Sequence, residues 1–94
     1  MRLSHTGLRV LKAFMDRPGV SAHGYDLMQT TGVASGTLYP LLMRFEEAGW
    51  MISSWENVDP VQEGRPRRRL YRVTGAGQAA IAQYMSALGL GTAA

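Results

Sequence analysis

Apolar residues recur with helical spacing across residues 35–50. Leu38, Leu41, Leu42 and Phe45 stand at relative positions 0, 3, 4 and 7, which places them in one stripe of a 3.6-residue helix. Small and hydroxyl-bearing residues fill the first turn, so another surface can approach the backbone there. The pattern fits both a helix that enters a groove and an ordinary amphipathic core helix.

Local residues predict where this helix begins and ends. Ser35 suits the N-cap because its hydroxyl can accept a hydrogen bond from an amide one turn later, and Gly49 suits the position just after the helix. Pro40 removes one backbone hydrogen bond, so we expect an irregular turn near it.

Two amphipathic segments precede this helix. Residues 4–16 carry five apolar residues at helical spacing, which are Leu8, Val10, Leu11, Phe14 and Met15, and Ser4 or Thr6 can cap this helix. Their arc is too wide for one stripe, so we expect a core on one side and a partner subunit on the other. Residues 21–31 predict a short helix between a cap at Ser21 and a stop at Gly32. The short helix, the turn and the longer helix together predict a helix-turn-helix.

The periodicity changes after Gly49. Residues 50–58 and 67–73 are rich in β-forming residues and alternate loosely, which predicts two strands of a hairpin. We expect Ile52, Tyr71 and Val73 to point inward and the intervening loop to be irregular. A hairpin after a helix-turn-helix is a winged helix, so the predicted fold class is α+β, mostly α.

A last helix is predicted after Thr74, which can cap it. Its apolar stripe either packs on its own domain or pairs with a second copy, and we favour pairing, since twofold symmetry supplies a second DNA half-site. The predicted organisation is a DNA-binding domain over 1–74, a dimerisation helix over 75–90 and a disordered tail over 91–94. The predicted dimer interface comprises Leu8, Leu11, Met15, Ile81, Tyr84, Met85 and Leu88.

Composition narrows the class of protein. Ninety-four residues make one domain, and the absence of cysteine excludes disulfides and thiolate metal sites. Without an apolar run of about 20 residues or a signal peptide, we expect a soluble, cytoplasmic protein that does not enter membranes. We find no paired acid and base, metal cluster or phosphate loop, so neither an enzyme nor a cofactor is expected. His23 is interpreted as a polar surface or capping residue.

Positive charge is concentrated late in the chain. From Gly64 onward there are five arginines and no acid, whereas the preceding part has five basic and seven acidic residues. Arginine suits phosphate oxygens. A charged strand edge that blocks aggregation is the alternative, but an unbroken positive run favours a DNA partner.

Several runs together resemble the PadR-type family of winged-helix transcriptional regulators. They are residues 23–27 (HGYDL), 35–42 (SGTLYPLL), 46–50 (EEAGW) and 64–74 (GRPRRRLYRVT). The resemblance implies a dimeric DNA-binding repressor with its recognition helix at 35–48 and its wing at 58–67. The chain departs from the family in having a short C-terminal segment and in carrying Leu70, where an aromatic residue is common.

The residues and the resemblance together predict a homodimeric repressor that binds double-stranded DNA. The candidate DNA-binding residues are Ser35, Gly36, Thr37, Tyr39, Arg44, Arg65, Arg67 and Arg68. A winged helix that docks another protein through Trp50 and Trp55 is the alternative function. A flat hydrophobic effector held between tryptophans at the dimer interface is a further possibility compatible with regulation.

Overall fold

The computed structural model describes residues 3–15 and 21–89, so the tail predicted over 91–94 lies outside the described residues. These ranges contain five helices and three strands. In chain order the elements are α1 His5–Met15, β1 Ala22–His23, α2 Gly24–Thr31, α3 Ser35–Glu47, β2 Met51–Trp55, α4 Pro60–Glu63, β3 Arg69–Val73 and α5 Gly75–Ala87. Within these ranges, no helix is long and apolar enough to cross a membrane.

Short-range hydrogen bonds cap the helices as the sequence predicts in two of the four cases. The Gly7 amide donates to Ser4 Oγ at 2.9 Å, and the Gly77 amide donates to Thr74 Oγ1 at 3.1 Å. The other two predicted caps are wrong. Helix α2 begins after His23, which caps it in place of Ser21. Helix α3 begins at Ser35 itself, and the residue before it is Ala34, whose methyl group cannot accept a hydrogen bond.

Helix α3 ends as predicted but differs at its proline. Gly49 follows the last turn with φ +76°, a left-handed conformation that glycine adopts without steric cost. The helix assignment runs unbroken through Pro40, where we expected an irregular turn. Leu38, Leu42 and Phe45 are fully buried behind it, so tertiary packing holds the helix despite the lost hydrogen bond.

The sheet has three antiparallel strands in the order β1-β3-β2, where the sequence predicted a two-stranded wing. The added strand β1 is two residues long and pairs Ala22 with Tyr71. A strand this short leaves no alternation in the sequence, which is why it was missed. It attaches the sheet directly to the start of α2.

The inward residues of the sheet are partly as predicted. Tyr71 and Val73 are buried, but Ile52 is 48% exposed and its neighbour Met51 is buried instead. Met51 pairs with Val73, so the two point to the same face. Met51 and Ile52 are adjacent and both apolar, so the sequence pattern allows either one to point inward. A shift of the strand register by one residue exchanges the two faces.

The hairpin loop contains a short helix, α4, where we expected irregular structure. Asp59 Oδ1 accepts a hydrogen bond from the Val61 amide at 2.9 Å, and Pro60 occupies the first helical position. Both residue types favour a helix start. Gly64 ends the turn with φ +68°.

The core draws on α1, α3, β2 and α5. Its fully buried side chains are Val10, Leu11, Leu38, Leu42, Phe45, Met51 and Ile81. Truncation of one such leucine to alanine typically costs about 2–5 kcal/mol of stability. Helix α5 therefore completes the core of its own chain, and its start packs so tightly that a Cβ on Gly77 would lie 2.2 Å from the Trp50 carbonyl oxygen.

This packing corrects part of the predicted dimer interface. Leu8, Leu11 and Ile81 are buried within the chain, so their side chains have no surface left to present to a second copy. Tyr84 is also engaged, since its hydroxyl donates to the Leu3 carbonyl oxygen at 2.9 Å. Of the remaining predicted residues, Met15 and Met85 are half-buried, and Leu88 is exposed.

Candidate nucleic-acid interface

The outer face of α3 is a continuous exposed surface. Its N-terminal half presents five exposed residues, which are Ser35, Gly36, Thr37, Tyr39 and Pro40. A Cβ built on Gly36 would meet no atom within 4 Å, so the backbone there is open to a close approach. Arg44 is exposed one turn beyond Pro40. The buried leucines on the opposite side keep this face turned outward.

Tyr39 connects α3 to the start of α2. A Cβ on Gly24 would lie 2.2 Å from the Tyr39 hydroxyl oxygen and 2.6 Å from ring atom Cζ. The tyrosine therefore lies directly against the Gly24 backbone, a position that glycine alone leaves free. About two fifths of Tyr39 stays exposed, so its ring can be held by α2 and still face a partner.

Arg68 lies beside the N-cap of α2. Its guanidinium Nη1 is 3.1 Å from His23 Nε2, a contact between residues 45 positions apart in the chain. His23 Nδ1 in turn accepts the Asp26 amide at 3.4 Å. Because Gly24 follows His23, the contact ties Arg68 to the same segment of α2 on which Tyr39 of α3 packs.

Arg65 is held by an ion pair inside the wing. Its Nη1 and Nη2 atoms donate to Glu56 Oε1 at 2.7 Å and Oε2 at 3.1 Å. This hydrogen-bonded arginine lowers the pKa of Glu56 from 4.5 to about 2, aided by the Arg68 amide, and the pairing raises the pKa of Arg65. Arg65 therefore uses both terminal nitrogens in bonds to Glu56, and its predicted contact with DNA stays a prediction.

The other two arginines of the run are anchored at one atom each. Arg67 Nε donates to the Val58 carbonyl oxygen at 2.9 Å, and Arg69 Nε donates to Ser53 Oγ at 3.1 Å. The Arg69 guanidinium also lies 4.9 Å from the ring centroid of Trp55, within cation–π range. Arg67 is exposed, whereas Arg69 is half-buried.

The two tryptophans have different environments. Trp50 stacks on Phe45 with ring centroids 6.0 Å apart and packs against the core. Trp55 is 61% exposed and borders a shallow hollow that Pro60, Pro66 and Arg67 also line. This assigns Trp50 to the core and Trp55 to the wing surface, a choice that the sequence left open.

The predicted site residues thus fall into two groups, those on the exposed surface and those held by partners within the chain. The exposed start of α3 and the arginines Arg67 and Arg68 lie on exposed surface, while Arg65 is committed to Glu56. Sequence reasoning missed His23 and Gly24 as supports of this surface. The spacing of His23 to Asp26 signals a cap, but no local pattern signals a contact with Arg68.

The described residues hold no cluster of three or more acidic, histidine or cysteine side chains that could bind a metal ion. The exposed chemistry at the site consists of hydroxyls, guanidinium groups and an open backbone. These groups donate hydrogen bonds and attract anions.

Comparisons with known proteins identify the family. The model of the transcriptional regulator PadR-like family matches residues 10–83. The transcriptional regulator Rv3488 of Mycobacterium tuberculosis is 44% identical over 69 residues, which are 73% of this chain and 54% of that protein. The chain thus spans about half the length of this curated relative.

Solved structures share the fold. TA0346 from Thermoplasma acidophilum is 31% identical with a TM-score of 0.69, over 90% of this chain and 81% of that one. A PadR family transcriptional regulator from Eggerthella lenta is 25% identical with a TM-score of 0.71, over 89% and 74% of the two chains. The chain therefore belongs to the PadR-like family, whose members are transcriptional regulators rather than enzymes.

Proposed function

We propose that this chain is a sequence-specific DNA-binding repressor that acts as a homodimer. The observation that carries the proposal is the exposed, sterically open start of α3, together with an exposed arginine, Arg68, that contacts His23 beside the glycine on which Tyr39 packs. Small residues at the start of a helix allow it to approach the base edges in a major groove.

The proposed base-reading residues lie on the first turns of α3. Thr37 and Tyr39 supply hydroxyl groups to bases or phosphates, while Ser35 and Gly36 keep the backbone accessible. Arg44 reaches a phosphate from the flank of the helix. Hydrogen bonds to base edges carry sequence information, whereas phosphate contacts set position.

The wing supplies phosphate contacts in this proposal. Arg67 and Arg68 are exposed, and each is anchored at one nitrogen, which leaves the rest of the guanidinium for phosphate oxygens. Arg65 is left out of this set because Glu56 occupies it. Two acidic residues, Asp59 at the N-cap of α4 and Glu63 at its end, make the wing tip itself a poor partner for a phosphate.

We further propose that a second copy pairs through the far end of α5. Leu88 is exposed just after α5, and Met85 within α5 is half-buried. Met15 in α1, a helix that packs on α5, is half-buried as well. A twofold dimer would set its two α3 helices in major grooves about 34 Å apart. Occupancy of a promoter is enough for repression. A flat hydrophobic effector held between tryptophans stays a prediction, and neither Trp50 nor Trp55 is part of the α5 surface proposed here.

In vitro selection from a random pool of DNA duplexes tests this function. We expect enrichment of a palindromic sequence, which should bind more tightly than a scrambled duplex of equal length in fluorescence anisotropy at two salt concentrations. Equal, strongly salt-sensitive binding to both duplexes would indicate a generic basic surface. No binding by the folded protein would favour a protein-docking winged helix.

A further inference from the structure

One ring nitrogen of His23 lies within hydrogen-bond distance of two different side chains. Its Nε2 atom lies 3.1 Å from Arg68 Nη1 and 3.1 Å from Asp26 Oδ2, and its side chain is 15% exposed. The Tyr25 ring stacks beside it with centroids 6.4 Å apart. The imidazole is thus enclosed between α2 and the segment that leads into β3.

The two contacts at Nε2 need different protonation of the ring. An unprotonated Nε2 accepts a hydrogen bond from Arg68, whereas a protonated Nε2 donates to Asp26 and excludes a donor at the same atom. In the first state Nδ1 carries the proton and gives up the 3.4 Å bond from the Asp26 amide. The ring therefore exchanges a weak helix cap for a contact with the wing.

The rest of Arg68 is also held in place. Its amide donates to Glu56 Oε1 at 3.2 Å, and its carbonyl oxygen accepts from the Glu56 amide at 2.8 Å. With its backbone held at Glu56 and Nη1 held at His23, the Arg68 residue is restrained at both ends. An arginine ordered in advance loses less conformational entropy when it binds.

We propose that His23 is a positioning residue for DNA binding, which orients the Arg68 guanidinium toward a phosphate beside the recognition helix. This inference rests on the proposed function. The placement is suited to it, because His23 immediately precedes Gly24, against which Tyr39 of α3 packs. One imidazole thereby sets the position of a wing arginine relative to the DNA-reading face.

A double-mutant cycle between His23 and Arg68 tests the proposal, with the selected duplex as the probe. His23→Asn keeps an N-cap acceptor for the Asp26 amide but does not reach Arg68. We expect it to weaken DNA binding about 3- to 10-fold, the effect of leaving one long side chain unordered. The salt slope should stay at the wild-type value because the charge of Arg68 remains.

Arg68→Ala should weaken binding and reduce the salt slope by about 1. In that background, His23→Asn should cause no further loss of affinity. Arg67→Ala provides the matched control, since its anchor is the Val58 carbonyl oxygen. Losses from His23→Asn and Arg67→Ala should therefore add.

Thermal midpoints of the same variants separate positioning from folding. His23→Asn should keep a midpoint at or above the wild type, because its amide oxygen can cap α2. His23→Ala offers neither a cap nor a contact with Arg68, so it should have the lower midpoint of the two variants. If His23→Asn folds poorly, Arg68→Lys replaces it, with lower affinity and an unchanged salt slope expected. Unchanged affinity in His23→Asn, or additive losses with Arg68→Ala, would overturn the positioning role. Failure of the wild type to bind would instead overturn the proposed function.

Discussion

Arg65 and Glu56 form a two-point ion pair across the wing, with Nη1 to Oε1 at 2.7 Å and Nη2 to Oε2 at 3.1 Å. Glu56 also accepts the Arg68 amide, so one carboxylate ties together three positions that follow β2 and precede β3. The first arginine of the basic run therefore shapes the wing, whereas Arg67 and Arg68 are exposed and each anchored at one side-chain nitrogen.

Arg65→Ala and Arg67→Ala should have opposite signatures. Loss of Arg65 leaves Glu56 without its ion-pair partner, so we expect a lower thermal midpoint and a salt slope close to the wild type. Loss of Arg67 should leave the midpoint unchanged and reduce the salt slope by about 1, because one phosphate contact is removed. Calorimetry and anisotropy titrations would measure both. A reduced slope with an unchanged midpoint in Arg65→Ala would return Arg65 to the DNA contacts.

The same pair should make stability depend on acid. The folded pKa of Glu56 is about 2, below its ordinary value of 4.5, so the unfolded chain takes up the proton first as the pH falls. The stabilisation is complete above pH 4.5 and disappears toward pH 2. Thermal midpoints across this window should fall further for the wild type than for Glu56→Gln. Parallel curves would show that the pair contributes nothing measurable.

Gly36→Ala should separate stability from function. Alanine is favoured over glycine inside a helix by about 0.5–1 kcal/mol, and the added Cβ meets no atom of the chain. We therefore expect a higher thermal midpoint but weaker DNA binding, because the methyl group faces the groove. Gly75→Ala, which is also exposed in open space at a helix start, is the control that should leave affinity unchanged. Equal affinities for both variants would remove Gly36 from the interface.

Thr37→Val should change the preferred DNA sequence more than it changes the salt dependence of binding. The substitution removes one hydroxyl from the exposed start of α3 and keeps the shape of the side chain. A lost base contact should lower discrimination by about 1 kcal/mol at one base-pair position, with the salt slope retained. Repeated selection with the variant would measure this, and Thr30→Val on α2 is the control. An unchanged preferred sequence would exclude Thr37 from base reading.

Leu88→Asp should dissociate the proposed dimer. Leu88 is 52% exposed at the end of α5, so a charge there should cost little in the folded monomer but much at an apolar interface. Sedimentation should report a shift from dimer to monomer. Val61→Asp provides a matched control, since Val61 is an exposed apolar residue on the wing. A dimer that survives Leu88→Asp would place the interface elsewhere.

Short-range chemistry explains which predictions succeeded. Ser4 and Thr74 cap helices through amides three residues away, and Gly32 ends α2 with φ +73°. These outcomes depend on side-chain length and backbone sterics, which are properties of a few neighbouring residues. The apolar spacing from Leu38 to Phe45 is also a local property, and it correctly predicts that one side of α3 is buried.

Side-chain partners across the fold required the tertiary structure. The pattern did not distinguish Ile52 from Met51 as the inward residue, because the choice depends on the pairing of Met51 with Val73. It placed Ile81 at a dimer interface, because an apolar stripe does not specify which surface covers it. Ile81 packs in the core of its own chain, while Leu88 at the end of the same stripe is exposed.

The sequence by itself determined the order of the main helices, the hairpin after the helix-turn-helix, the resemblance to the family and the run of five arginines after Gly64, since each depends on local periodicity or residue type. Only the tertiary structure decided what each arginine does. Arg65 meets a carboxylate nine positions away, and Arg68 meets an imidazole 45 positions away. Such partners are chosen by how the strands and helices pack, because the charge of an arginine is the same wherever its side chain lies.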